Sequence, residues 1–360
     1  MAPEHTRVGL PRVDARNNFD AVRLLAAAMV LYSHQLALSG RPESTPLVFA
    51  TWGYLGVMVF FVISGYLVGG SWERDPDPWR FLQRRALRIW PALALVTVLS
   101  TLVLGPLLSR LPWTAYFASG ETWAYLATAV FWIQQTLPGV FPDNPFARAV
   151  NGSLWTIPYE VGCYLGLLLC GRLGLLRRRG PLLLLWLVAW LILGWIFSRP
   201  APFPRIWSLE LGCCFVAGVL LQQLRPLWQD RIGPVLMSAA LLATGLHALG
   251  WTMPAALLFM PVLTLAVGTL SWPVLSQAGR WGDFSYGLYI YAFPVQQCVV
   301  MLWGPEHPLP ALLLLSLLLS LGCAALSWHM IEKPALRYKP RAGARALERP
   351  GLKQDDAAAE

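Results

Sequence analysis

Long apolar runs, each closed by arginines, prolines or glycines, repeat along almost the whole sequence. Ten of them approach the ~20 residues that an α-helix needs to cross a bilayer. They cover about 19–38, 47–70, 90–111, 154–171, 181–198, 206–224, 232–250, 254–271, 284–303 and 309–331. The pattern predicts an all-α, polytopic membrane protein with about ten transmembrane helices. The first run lacks an A-x-A cleavage site and reads as a first span, not a signal peptide. No internal period of 20–50 residues points to a repeat architecture.

Composition agrees with a membrane protein. Of 360 residues, 56% are hydrophobic and 13% charged, about half the ~25% charged of soluble domains. Disordered, collagen-like and disulfide-rich secreted classes are excluded. The net charge of +9 does not make a nucleic-acid binder, because the arginines punctuate apolar runs instead of forming a basic face on a soluble fold. With ten spans, 23 of the 28 Lys and Arg residues fall on the side of both termini, so the positive-inside rule predicts that both ends are cytoplasmic. Residues 1–17 then form a cytoplasmic N-terminal segment, 18–338 the membrane domain, and 339–360 a polar, disordered cytoplasmic tail. The apolar stretch Thr122–Leu137 could pass for an eleventh span, but that crossing would invert the charge bias. We expect a long outer segment at about 112–153 with an interfacial or re-entrant helix, anchored by Trp113, Trp123, Tyr125 and Trp132 and closed by Pro138, Pro142 and Pro145. The six cysteines lie inside apolar runs without C-x-x-C spacing and read as small packing residues.

Ionisable groups inside spans cost ~2.5–3.5 kcal/mol or more at the helix centre and are functional candidates by default. In the first run, Arg23 and His34 are eleven residues apart, about three turns, so they share one face roughly 16.5 Å apart along the axis. The second run contains Ser64-Gly65-Tyr66, suited to close helix approach or polar bonding. A basic stretch precedes the third. There Arg80 and Arg84 read as topology markers, while Arg85 and Arg88, three apart, present two guanidiniums on one face as a phosphate-bearing ligand requires. Glu160 stands one turn into the fourth run beside Pro158, at a depth that His34 could share. Glu210 is a second intramembrane acid, near the outer end of the sixth run. His247, His307 and His329 read as packing residues.

This set permits acyl transfer through a membrane-embedded pore. Cationic groups at the cytoplasmic mouth anchor a phosphate-rich thioester, its uncharged arm enters the pore, and His34 serves as base for a hydroxyl acceptor with a carboxylate to orient it. A transporter or flippase of lipid-linked glycans is the alternative, its buried charges lining a permeation path. A non-catalytic scaffold leaves His34 and Glu160 unexplained.

The ordered motifs are Phe19-Asp-Ala-Val-Arg23 through His34, Phe60-Phe-Val-Ile-Ser-Gly-Tyr66, Arg84-Arg-Ala-Leu-Arg-Ile-Trp-Pro91, Ser153-Leu-Trp-Thr-Ile-Pro-Tyr-Glu160, Trp281-Gly-Asp-Phe-Ser-Tyr-Gly-Leu-Tyr-Ile-Tyr291 and Ile331-Glu-Lys-Pro334. This succession resembles the bacterial acyltransferase family 3 from residue 19 to residue 334. The resemblance implies a ten-helix, multi-pass O-acyltransferase of the bacterial cytoplasmic membrane, in a stand-alone form without the extracytoplasmic hydrolase-like domain of some members. It implies acyl-CoA, most often acetyl-CoA, as co-substrate, with no tightly bound cofactor and no metal. The acceptor would be a glycan or lipid-linked carbohydrate, with membrane lipids around the protein and no nucleic-acid partner. Carried onto this chain, the family pattern gives His34 and Glu160 as catalytic residues and Arg23, Arg85 and Arg88 as acyl-CoA anchors. Asp20, Ser64, Tyr66, Trp155, Tyr159 and Glu210 are the candidate supporting residues. One departure is visible: after Tyr289-Ile-Tyr291 many members carry a His, where this chain has Ala292-Phe293-Pro294.

Overall fold

The computed structural model describes residues 17–46, 50–199 and 206–340. The expected N-terminal segment and tail therefore lie almost entirely outside the described residues. Ten long helices stand where the ten apolar runs were read: α1 (Phe19–Leu38), α2 (Trp52–Arg74), α3 (Pro78–Leu99), α4 (Ile157–Arg172), α5 (Arg179–Phe197), α6 (Trp207–Gln223), α7 (Ile232–Ala248), α8 (Thr252–Thr269), α9 (Phe284–Trp303) and α10 (Leu309–Ser327). The chain is a polytopic all-α membrane protein. Among the described residues, seven helical stretches are long and apolar enough to cross a membrane unaided, and α6 with the following Arg225–Ala248 stretch, bent by 72°, makes an eighth as a pair. That is fewer than the ten expected, for two reasons. The helices α6 and α7 have only 17 residues each, and α9 carries Gln296, Gln297 and three tyrosines among its apolar residues.

The central element is α2, most of it buried. Its start is fixed by Thr51, whose hydroxyl accepts the Tyr54 N–H, so the helix begins later than the apolar run suggested. It lies almost backbone to backbone with α6. A Cβ on Gly65 would sit 2.0 Å from the Phe215 carbonyl oxygen, and one on Gly218 2.2 Å from that of Val62. No residue larger than glycine fits there without parting the helices. Antiparallel to α2 runs α1, with Phe19 against Tyr66 at one end and Ser33 facing Gly53 at the other. Parallel to α1 runs α9, its N-cap Asp283 beside Arg23 and its Phe293 beside His34. These pairings set a common depth scale for the site.

The third helix begins twelve residues before the expected span. Asp77 caps it by accepting the Arg80 N–H at 2.8 Å, Pro78 occupies its first turn, and Pro91 sits inside it. A π-helical turn, Ser100–Leu104, continues it to Leu108. Tyr116 from the following segment donates its hydroxyl to the Thr101 carbonyl at 2.9 Å, supplying a donor within the π-helical turn.

The segment 112–153 forms no helix long enough to cross. It breaks into Trp113–Ala118, Gly120–Ala124 and a 3₁₀ turn, Tyr125–Val130, followed by irregular chain. Tyr116, Tyr125, Leu137, Val140, Phe141 and Val150 give it a small core of its own. Buried amides hold it to α9: Asn144 Nδ2 donates to Gln297 Oε1 at 2.7 Å, Gln297 Nε2 to the Ala149 carbonyl at 2.7 Å, and Asn151 Nδ2 to that of Ile290 at 2.8 Å.

Candidate active site

Between α1, α2, α3, α4 and α9 the bundle leaves a cavity of about 110 Å³. Arg23, Arg85 and Arg88 line it together with Ser64, Glu160 and Tyr164, while Phe60, Ile157 and other apolar side chains form its walls. Thr156 and Tyr289 also line it. The structure thus brings together five of the residues singled out in the sequence, from four separate helices.

Arg23 and Arg88 share an acid distant in sequence. A single oxygen of Asp283, Oδ2, accepts from Arg88 Nη2 at 2.6 Å and from Arg23 Nη1 at 3.1 Å. Arg23 also reaches Asp20 Oδ1 at 3.2 Å, along its own helix. Arg88 has two further partners, Glu332 at 3.8 Å and the face of the Tyr286 ring, whose centroid lies 5.5 Å from the guanidinium carbon. Asp283 is itself fixed as the N-cap of α9, accepting from the backbone N–H and the hydroxyl of Ser285. Burial alone would raise its carboxyl pKa, but Arg88 and Arg23 outweigh that effect and hold it at about 2.

Glu160 lies in the same cavity. It accepts from the Tyr164 hydroxyl and, at 3.3 Å, from that of Ser64. This corrects the expected match with His34. Ser33 faces Gly53, and Ser64 is eleven residues further along α2, so Glu160 lies roughly 16 Å from the level of His34 along the bundle. The cause is the start of α4: Gly152 packs on Phe293 at the level of His34, and Glu160 is already eight residues deeper.

His34 lies outside the cavity lining. Its ring meets Phe293 edge-on with centroids 5.1 Å apart, and its buried Nδ1 has no hydrogen-bond partner among the described residues. Tyr289, one turn before Phe293 on α9, closes the cavity on that side. Its hydroxyl donates to the Ser153 carbonyl at 2.8 Å, lies 2.6 Å from the Thr156 hydroxyl, and its ring packs edge-on against Phe60. One helical turn of α9, about 6 Å, therefore separates the end of the cavity from the level of His34.

Residues 16–329 match the family model described as an acyltransferase domain. The chain belongs to acyltransferase family 3. It is 32% identical over 338 residues to the O-acetyl transferase of Shigella phage Sf6, covering 90% of this chain and 98% of that protein. It is 30% identical to nodulation protein 10 of Rhizobium leguminosarum bv. viciae, covering 92% and 96% of the two chains. A putative membrane-bound transacylase of Komagataeibacter xylinus is 25% identical over 93% of this chain and 86% of its own. No solved structure matches it significantly. The protein is a membrane O-acyltransferase.

The other sequence candidates of this acyltransferase do not line the cavity, Asp20 reaching it only through Arg23. Tyr66 is buried against Phe19. Trp155 packs edge-on against Tyr159 and Trp207, and Glu210 is fully buried, accepting from the Tyr54 hydroxyl at 2.5 Å. Of the three histidines read as packing residues, His307 stacks on Trp303, His329 meets Phe284, and His247 pairs with Thr252. Sequence reasoning gave no role to Asp283, Glu332, Tyr164, Tyr286 or Tyr289. Tyr164 was accessible to it, four residues after Glu160 and so on the same helical face. Asp283 reads locally as a helix cap, and its long-range pairing leaves no trace in spacing.

Proposed function

We propose that this acyltransferase takes an acyl group, in the simplest case acetyl, from a cytoplasmic acyl-CoA and delivers it to a hydroxyl of a cell-envelope or secreted glycan at the bacterial inner membrane. The observation that carries this reading is the convergence of Arg23, Arg85 and Arg88 at one apolar-walled cavity. Guanidiniums suit the phosphates of the donor nucleotide. The excess of cations on the side of both termini supports cytoplasmic entry, and apolar walls suit an uncharged arm. Glu160, within those walls, offers a carboxylate to the amide N–H groups of that arm instead of to the imidazole. His34 is the base that takes the acceptor hydroxyl's proton, its unpartnered Nδ1 being the open acceptor such a role needs. For the thioester to reach it, the contact between Tyr289 and Thr156 has to part. The acyl–sulfur bond then breaks as the acyl–oxygen bond forms, and the proton leaves on the imidazole for the thiolate.

The test is transfer of label from acetyl-CoA to candidate glycans by the purified protein in detergent. His34→Ala is expected to lower the rate ~10²–10⁴-fold while donor affinity stays within about twofold. Movement of glycan across vesicles without thioester consumption, unaffected by His34→Ala, would instead establish a transporter.

A further inference from the structure

Behind two of the arginines that line the cavity stands an acid, Asp283, that neither the motif reading nor the family match gives a task. Asp283 is placed just before α9, and the arginines it binds come from α1 and α3, 260 and 195 residues away. Both donate to the same oxygen, Oδ2. Two guanidiniums that share one acceptor atom are forced closer than their mutual repulsion allows unaided, and in a partly buried setting that repulsion is weakly screened. The other oxygen, Oδ1, is occupied by the cap bonds from Ser285, which fix the carboxylate's direction. The pair cannot then drift, because α9 carries its anchor.

We propose that Asp283 is a positioning residue that draws Arg23 and Arg88 into one two-armed anion grip at the mouth of the cavity, so that the donor's phosphates meet an arrangement already formed. The donor part rests on the acyl-CoA reading above; the grip itself does not. Free guanidiniums on long side chains lose rotamer freedom when they bind a phosphate, and a carboxylate that holds them beforehand removes that cost from the binding step. Glu332 and the Tyr286 ring flank Arg88 on its other sides and leave it little freedom except towards Asp283 and the cavity.

Asp283→Asn separates charge from capping, because Asn is as good an N-cap as Asp. Two measurements on the full-length protein in detergent decide the matter. The first is labelling by phenylglyoxal, an arginine reagent, mapped by peptide mass spectrometry without any donor present. Labelling of Arg23 and Arg88 is expected to rise at least threefold in Asp283→Asn, while Arg84, buried against Asp75, serves as the unchanged reference. Equal labelling in both proteins overturns the grip. The second is the kinetics with acetyl-CoA, where KM is expected to rise about tenfold with kcat within twofold of wild type. A fall in kcat at constant KM, or a tighter KM, overturns the positioning role, the latter because it would make Asp283 a competitor of the phosphates. If the wild type shows no saturable use of acetyl-CoA while the labelling still rises, the donor reading fails and the grip stands.

Discussion

Among the described residues, Asp75 and Asp283 each bind two arginines, and their surroundings differ. At the turn between α2 and α3, Asp75 accepts from Arg80 at 2.9 and 2.7 Å and from Arg84 at 2.9 Å, all within ten residues of chain. Asp75 and Arg84 are both only 5% exposed by side chain. At the cavity, Asp283 does the same for Arg23 and Arg88, but across three helices and beside open space. The chemistry of the two clusters is nearly identical. What differs is that the first is closed and local, so its pairing energy serves the turn, whereas the second faces a cavity in which a ligand can add to the pairing. The lesson is that a carboxylate-arginine cluster identifies a site only where the packing leaves room beside it.

That contrast can be broken most severely from the closed side. Asp75→Ala leaves Arg84 buried without its partner and is expected to cost about 3–5 kcal/mol of stability, seen as loss of folded protein in detergent denaturation. The fraction that remains folded should keep its KM for acetyl-CoA, and a raised KM there would mean that the two clusters are coupled. The Asp75 contribution also has a defined pH sense. The hydrogen bond from Arg80, then that from Arg84, holds its carboxyl below the ordinary carboxylate range against the opposing effect of burial. A group depressed in the folded state stabilises fully above its unfolded pKa of about 4 and loses that contribution below it. The stability gap between wild type and Asp75→Ala should therefore be constant from pH 7 to 5 and shrink below pH 4.

On the open side a smaller, kinetic effect is expected. Arg88→Lys keeps the charge but not the planar fork, and should raise the acetyl-CoA KM about tenfold, close to 1.4 kcal/mol. The same change at Arg84 should lower stability and leave KM alone. The smallest effect is again one of pH. Because Asp283 is held at about 2, it stays charged throughout the working range, and the ratio of donor KM between Asp283→Asn and wild type, in which the donor phosphate's own titration near pH 6 cancels, should vary by less than about twofold between pH 7.5 and 5. A steep rise in that interval, measured by initial rates, would place a different titrating group in the grip.

The same arginines show how far the sequence could be read. Its spacing placed Arg85 and Arg88 on one face and marked them off from Arg80 and Arg84, as the cavity does. It read the second pair as topology markers and could not see their task at Asp75, because both reasons put arginines at the same place. Depth was harder. Counting residues from the ends of apolar runs put Glu160 level with His34, whereas α4 begins inside the bundle beneath segment 112–153 and carries Glu160 down to Ser64. The apolar run that starts near 90 predicts a third span from there, yet the cap at Asp77 starts the helix earlier and runs it through Pro91.

By itself the sequence determined the solvent, the helical class, the places of the long helices and the residue types that the chemistry requires, because hydrophobic run length and charge placement are local properties. The tertiary structure decided which of those residues meet. Asp283 joins Arg23 and Arg88, Glu160 joins Tyr164 and Ser64, and His34 stands one turn of α9 beyond the cavity. These relations depend on the relative heights of helices, which are set by glycine contacts such as Gly65 with Phe215 and by the Asn144 and Asn151 amides that dock the outer segment. No single run of the chain contains that information.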